Sequence, residues 1–315
     1  MLFFFDTAAA VNKGAPLNST LHRSGVVAII GPPNAGKSTL LNQLLRQKIA
    51  IVTPKPQTTR NRIMGIVTGA GYQMILLDTP GLHAAREEMN RQMVRVALES
   101  LAEADAVLFL ADSADMPATK LERRAEEFRG YLDRIGCPVV LALNKMDLLP
   151  PERLLPVIDW YRGLHAFAAV VPVSALTGAG IDTLLAELVG LMPEGPQYYP
   201  DDIPTDASER FIAAEIIREK IFLRTRDEIP YSTAVVIDTF EEGEQVVIRA
   251  TILVERDSQK GILVGQKGAM LAAIRKSAVA DIEQLLGCRV RLHLWVKVSR
   301  NWTANVNVLR ELGLA

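Results

Sequence analysis

The chain has 315 residues, 49% of them hydrophobic and 23% charged. It is too long for one ordinary domain and apolar enough to fill two cores. Its formal net charge of -1 excludes a global attraction to nucleic acid, so any such binding has to come from local segregation of charge.

Cys137 and Cys288 are the two cysteines and stand far apart, outside any C-x-x-C spacing. They exclude a cysteine metal cluster, argue against a disulfide framework and fit a reducing cytosol. No apolar run approaches the ~18 residues of a membrane span. Residues 1–24 read as a disordered tail, because the apolar start Met1 to Phe5 is broken by Asp6 and lacks the basic region of a signal peptide.

Taken in order, residues 26–30 predict a buried strand that runs into Gly31-Pro32-Pro33-Asn34-Ala35-Gly36-Lys37-Ser38, and Thr39 to Leu45 follow at helical spacing. Two prolines and several threonines make 53–62 an irregular, exposed loop. Residues 63–68 and 72–77 read as a hairpin around Gly69-Ala70-Gly71, ending in Asp78-Thr79-Pro80-Gly81. A helix is expected at 89–101, then a continuous apolar strand at 106–111 and a charged helix at 119–135. The apolar strand 138–143 ends at Asn144-Lys145-Met146-Asp147. A helix at 152–163, a strand at 169–173 carrying Ser174-Ala175, and a helix at 180–191 close the unit.

Residues 25–193 therefore form one α/β domain with a mostly parallel sheet and one antiparallel pair. Residues 194–208, rich in proline and acid, read as a linker. The pattern then changes to an amphipathic helix at 209–223, strands at 232–239 and 245–254, and the loop Gly265-Gln266-Lys267-Gly268. A helix at 269–286 and an alternating strand at 289–298 complete an α+β domain over 209–300, with 301–315 as a C-terminal tail.

The first motif has strand, glycine-rich turn and helix in the order that a phosphate-binding loop requires. Its backbone N–H groups and the helix N-terminus cradle phosphate oxygens, Lys37 adds a point charge, and Ser38 offers a hydroxyl to an accompanying Mg²⁺. Asp78, at the end of a buried strand, suits a carboxylate that holds Mg²⁺ through water, and the Gly81 N–H can reach a γ-phosphate. Asp147 can accept both the N1–H and the 2-amino group of guanine, whereas adenine would leave it unpaired. Asn144 can tie neighbouring segments, the Lys145 stem can lie along the base, and the Ala175 N–H can donate to the guanine carbonyl. In the second unit, Lys260, Lys267, Arg275, Lys276, Arg289, Arg291, Lys297 and Arg300 face only Asp281 and Glu283 between Lys260 and Arg300. That is a local basic bias on a nearly neutral chain.

Together these motifs resemble the signature set of translation-factor-type GTPases, and Gln57-Thr58-Thr59-Arg60 resembles switch I of the Era family. The second unit resembles a type II KH domain, so residues 25–300 are similar to that family's layout. The resemblance implies a P-loop GTPase domain followed by a KH domain that hydrolyses GTP to GDP and phosphate. It also implies GTP contacts along residues 31–39, at Thr59, and from Asp78 to Leu82, with Mg²⁺ held directly by Ser38 and Thr59 and through water by Asp78. The implied RNA contacts are Gly265, Gln266, Lys267 and Gly268, with Lys260, Arg275 and Lys276, directed at 16S rRNA during assembly of the 30S subunit. A monomer, a cytoplasmic location and a peripheral membrane pool belong to the same expectation. Gln266 departs from the basic residue that relatives often carry there, which predicts a weaker clamp. Leu82 stands where Ras-type enzymes have their water-orienting glutamine, which leaves the catalytic residue unknown. His83 beside it reads as a solvated side chain. Asn34 lies where potassium-stimulated relatives hold K⁺. A nucleotide-gated RNA scaffold with negligible hydrolysis stays open as an alternative, and an ATPase is opposed by Asp147.

Overall fold

The computed structural model describes residues 22–55, 58–81, 88–114 and 128–312. The first domain is a six-stranded sheet of β1 (Arg23–Ile30), β2 (Ile63–Gly69), β3 (Tyr72–Asp78), β4 (Ala106–Asp112), β5 (Val139–Asn144) and β6 (Ala169–Pro172). Their order across the sheet is β2-β3-β1-β4-β5-β6, antiparallel between β2 and β3 and parallel elsewhere. Four labelled helices cover it: α1 (Lys37–Leu45), α2 (Glu88–Ala102), α3 (Leu154–Arg162) and α4 (Ile181–Leu191).

Alternate residues of the central strands point to opposite faces. Val27, Ile29, Leu108, Leu110, Val140 and Ala142 pack with Leu40, Leu41 and Leu44 of α1 and Leu184 and Leu188 of α4. Ala28, Ile30, Val107, Phe109 and Leu141 pack on the other side with Ala97 of α2 and Val157 and Tyr161 of α3. A sheet covered on both faces needs apolar residues at every position, hence the uninterrupted runs in β4 and β5. Residues 128–132 are helical and bury Phe128 and Leu132. The earlier part of the helix expected at 119–135 lies largely outside the described residues.

The second domain contains α5 (Glu209–Arg224), β7 (Ala234–Glu241), β8 (Val246–Val254), α6 (Asp257–Val264), α7 (Ala269–Leu286), β9 (Val290–Val298) and α8 (Val306–Glu311). Its sheet has β8 in the centre, antiparallel to β7 and parallel to β9. Ser208 starts α5 by accepting the Phe211 N–H on its hydroxyl at 3.3 Å. Val246, Ile248, Ala250, Ile252 and Val254 form one fully apolar face of β8 that meets Ile216 of α5 and Ile274, Ala278 and Ile282 of α7. Among the described residues, no helix is long and apolar enough to cross a membrane.

Three stretches differ from the sequence reading. β1 begins at Arg23, inside the expected tail, and the Arg23 guanidinium donates to the Gly190 and Met192 carbonyls. Residues 194–208 lie along β2 and β3: the Ile66 N–H donates to Pro204 O at 2.8 Å, and Gln73 bonds the Tyr198 and Tyr199 backbone. The expected tail from 301 is packed structure. Trp302 and Leu309 are fully buried against Ala234, Met89 and Met93, and the Trp302 indole donates to Ser232 O at 3.0 Å. A tryptophan and leucines in so short a segment bury too much apolar area to stay in water.

Candidate nucleotide site and nucleic-acid interface

The loop between β1 and α1 turns through Gly36 at φ 98°, where an added Cβ would lie 2.3 Å from Asn144 Nδ2, so only glycine fits. Lys37 is buried and donates to the Gly31 and Pro32 carbonyls, both at 3.1 Å. Burial pushes its pKa down to about 8, against the opposing pull of Asp78. Burial also raises the Asp78 carboxyl to about 6, although Lys37, Ser38 and Thr59 all favour its charge. Pro33, Asn34, Gly36, Lys37, Ser38, Thr39, Thr59 and Gly81 line one cleft. Asn34 donates from Nδ2 to Pro54 O at 3.1 Å.

Three oxygens that the sequence separates by up to forty residues converge in this cleft. Ser38 Oγ lies 2.8 Å from Thr59 Oγ1 and donates to Asp78 Oδ2 at 2.7 Å, while Thr59 reaches the same carboxylate oxygen at 3.4 Å. Asp78 Oδ1 is buried without a hydrogen-bond partner among the described residues. Two hydroxyls and a carboxylate with an unsatisfied oxygen are hard ligands suited to Mg²⁺, so the residues fit that ion. Thr79 turns back to donate to Ile29 O at 2.8 Å, and Pro80 behind it is buried. Leu82 and His83 lie outside the described residues.

At the other end of the site, Asn144 donates to Ala35 O at 2.7 Å and accepts the Ala175 N–H at 2.9 Å. It thereby ties the phosphate loop to the segment after β6. The Ala175 N–H, expected to meet the guanine carbonyl, donates to Asn144 Oδ1 in this structure. Ser174 is fully buried and its hydroxyl accepts the Thr177 N–H at 3.2 Å. Lys145 adopts φ 64° and pairs with Asp112 at 2.6 Å, a partner at the end of β4 that no motif announces. The Met146 N–H donates to Val173 O, and Asp147 stands exposed in the turn that follows.

The loop at 53–62 is irregular where it is described, as expected, but it is not exposed throughout. Thr59 and Arg60 are buried, because the second domain closes over them. Arg60 donates to Thr233 O at 2.7 Å, Pro230 O at 3.0 Å and Tyr231 O at 2.8 Å, and its guanidinium lies over the rings of Phe222 and Trp302 at 5.8 and 6.0 Å. Burial and then Arg218 lower its pKa to about 9, which leaves it charged at neutrality. Arg218 pairs with Glu215 and donates to Thr58 O at 2.5 Å, and Lys55 donates to the carbonyls of Phe222 and Thr225. Nearby, Lys48 and Lys220 both bridge Glu219 and Asp281, and Glu219 also takes the Val52 N–H at 3.0 Å. The polar side of α5 is thus a domain interface.

In the second domain the chain breaks between α6 and α7 at Gly265-Gln266-Lys267-Gly268. Gly268 has φ 80°, and an added Cβ there would meet nothing within 4 Å. Gln266, Lys267, Lys260, Arg275 and Lys276 are all exposed around this break, which makes it a basic, backbone-rich surface.

A family model described as "50S ribosome-binding GTPase" matches residues 26–145, and one described as "KH domain" matches residues 228–303. The GTPase Era of Syntrophus aciditrophicus is 50% identical over 304 residues, covering 94% of this chain and 96% of the relative. Among solved structures, Era in complex with MgGDPNP and nucleotides 1506–1542 of 16S ribosomal RNA superposes with a TM-score of 0.88. It is 38% identical over 93% of this chain and 99% of that one. A point variant of Aquifex aeolicus Era bound to GDP.AlF4- gives a TM-score of 0.87 at 39% identity, with the same coverage of both chains. Identity at this level along nearly the whole of both chains, with the two domain models in the same order, establishes that the chain belongs to the Era family of GTPases.

Proposed function

We propose that the chain hydrolyses GTP to GDP and phosphate and binds the 3′ region of 16S rRNA through its KH domain, as a switch in small ribosomal subunit assembly. The observation that carries this reading is the adjacency of Thr59 and Arg60. Thr59 lies against Ser38 and Asp78 in the nucleotide cleft, and the next side chain is plugged into the second domain. Any change in the cleft that moves Thr59 must pull or release Arg60. The nucleotide and the RNA-binding domain are therefore mechanically linked.

In the cleft, residues 31–38 hold the phosphates, Lys37 leaves its loop carbonyls for the outer phosphates, and Asp147 selects guanine. Mg²⁺ held by Ser38, Thr59 and Asp78 would neutralise charge building on the transferred phosphoryl group. With leucine at position 82, no side chain there can orient the attacking water, so hydrolysis is slow without help. K⁺ held beside Asn34, RNA, or both would supply the missing positive charge or positioning.

Single-turnover hydrolysis, with K⁺ or Na⁺ and with or without the 16S 3′ RNA, tests the reading. Acceleration by RNA is expected. Turnover that stays negligible under every condition would make the chain a nucleotide-gated scaffold rather than an enzyme.

A further inference from the structure

Strand β9 alternates in a way that the core does not explain. Leu292, Leu294 and Val296 face the helices and join the core. The residues between them point to the opposite side of the sheet. On that outer face lie Arg291, His293, Trp295 and Lys297, with Arg249 and Thr251 of β8 beside His293 and Trp295. Trp295 is 51% exposed, and the His293 imidazole stacks with its ring at 6.0 Å and 23°. Arg291 and Lys297 are exposed and have no acidic partner among the described residues, whereas Arg249 is already paired with Glu241 at 2.6 Å. Among the described residues, the C-terminal segment packs on this face at its Leu253 and Ala234 end.

We propose that the outer face of this sheet is a second RNA-binding surface, on which an unpaired base stacks against Trp295 while Arg291 and Lys297 hold the flanking phosphates. Same-face residues on a strand are roughly 6.6 Å apart, so cation, two rings and cation (Arg291, His293, Trp295, Lys297) line up at the intervals of an extended strand. Sheet-borne aromatic rings flanked by cations are how single-stranded RNA is held without reading its sequence. A protein-docking surface would instead be depleted of lysine, whereas here Lys297 flanks the ring. The face is distinct from the Gly265–Gly268 loop, which lies at the α6–α7 junction on the helix side. The inference rests on the reading of the chain as an RNA-binding protein.

The test uses the full chain carrying Trp160→Phe, which leaves Trp295 as the exposed indole beside the buried Trp302. It is titrated with a 24-nucleotide oligoadenylate. Quenching of Trp295 emission is expected, together with a loss of affinity of about tenfold on Trp295→Ala, the lower part of the range for one base stack. Trp295→Phe should retain most of the affinity. Arg291→Ala and Lys297→Ala should each make the salt dependence shallower by about 0.7. Quenching should persist when Gly268→Asp weakens the loop, and thermal melts report that each variant folds. Unmoved emission and wild-type affinity in Trp295→Ala, with binding abolished by Gly268→Asp, would overturn the proposal and leave the loop as the RNA surface. Absence of any RNA binding by the wild type would remove both readings. Emission insensitive to RNA, with self-association lost on Trp295→Ala, would make the face a protein-docking surface and equally overturn the proposal.

Discussion

Arg60→Ala should uncouple the two domains without touching the nucleotide. The side chain donates three hydrogen bonds of 2.7 to 3.0 Å to the carbonyls of Pro230, Tyr231 and Thr233 and lies over Phe222 and Trp302. A hydrogen bond from a charged donor contributes about 1.5–3 kcal/mol, but truncation also removes the several kcal/mol spent in burying the guanidinium, which leaves a net loss of about 2–4 kcal/mol. That loss falls on domain docking, because every partner belongs to the second domain. Coupling between two ligands typically lies at about 1–3 kcal/mol, a factor of 5–150 in affinity, and it is reciprocal. The assay is therefore GTP affinity by calorimetry with and without saturating RNA. Wild type should show a clear ratio and Arg60→Ala a ratio near one, with GTP affinity in the absence of RNA little changed. Arg60→Lys should fall between, since an ammonium keeps the charge but cannot span three carbonyls. A folded Arg60→Ala protein with the wild-type ratio would refute the linkage through this residue.

Asp147→Asn should weaken GTP binding and strengthen XTP binding, because an amide can donate to the carbonyl that xanthine carries in place of the guanine amino group; unchanged GTP affinity would contradict the assignment. Trp302→Ala should destabilise the second domain by about 3–5 kcal/mol, the usual range for a buried aromatic, measured by urea unfolding. Its effect should be less than additive with Arg60→Ala, since the two side chains touch. The Lys48–Lys220–Glu219–Asp281 cluster predicts an acid-sensitive docking. Burial alone would raise the Asp281 carboxyl, but hydrogen bonds from Lys220 and Lys48 lower it overall. A carboxyl whose folded pKa is depressed stabilises above its unfolded pKa, and that stability is lost as pH falls below about 4. Lys48 is opposed by burial and raised overall by Asp281 and Glu219, so its share is lost only in alkali, above the ordinary lysine value. Thermal melts of Asp281→Asn should lose the acid-side dependence; a profile identical to wild type would exclude the cluster as its source.

Much of the first domain was legible because its physics is local or periodic. β4 and β5 are covered on both faces and so read as unbroken apolar runs, and the phosphate loop has glycine where the backbone must turn against Asn144. Trp302 was missed because a single aromatic in a short segment has no periodicity to expose its burial. Asp112 was missed because its role depends on the neighbour in the sheet: the β4–β5 register sets it beside Asn144, next to Lys145.

The domain interface was illegible for a deeper reason. The two terminal nitrogens of Arg60 are held by three backbone carbonyls, and carbonyls carry no residue identity, so no pattern in 230–233 announces a guanidinium site. Likewise Glu215, Arg218, Glu219 and Lys220 have the spacing of a solvated helix face, yet all four are buried. Such a row of charges is an expensive way to join two domains, since well-packed apolar residues would hold them at least as firmly. An apolar seam would also tolerate sliding, whereas each hydrogen bond here is made at one relative position. The loop carrying Thr58, Thr59 and Arg60 is fixed at both ends: the Ser38–Asp78 pair on one side, Arg218 and the 230–233 carbonyls on the other. An interface of this kind favours discrete arrangements over continuous adjustment, which is what a nucleotide-dependent switch requires of the surface it moves.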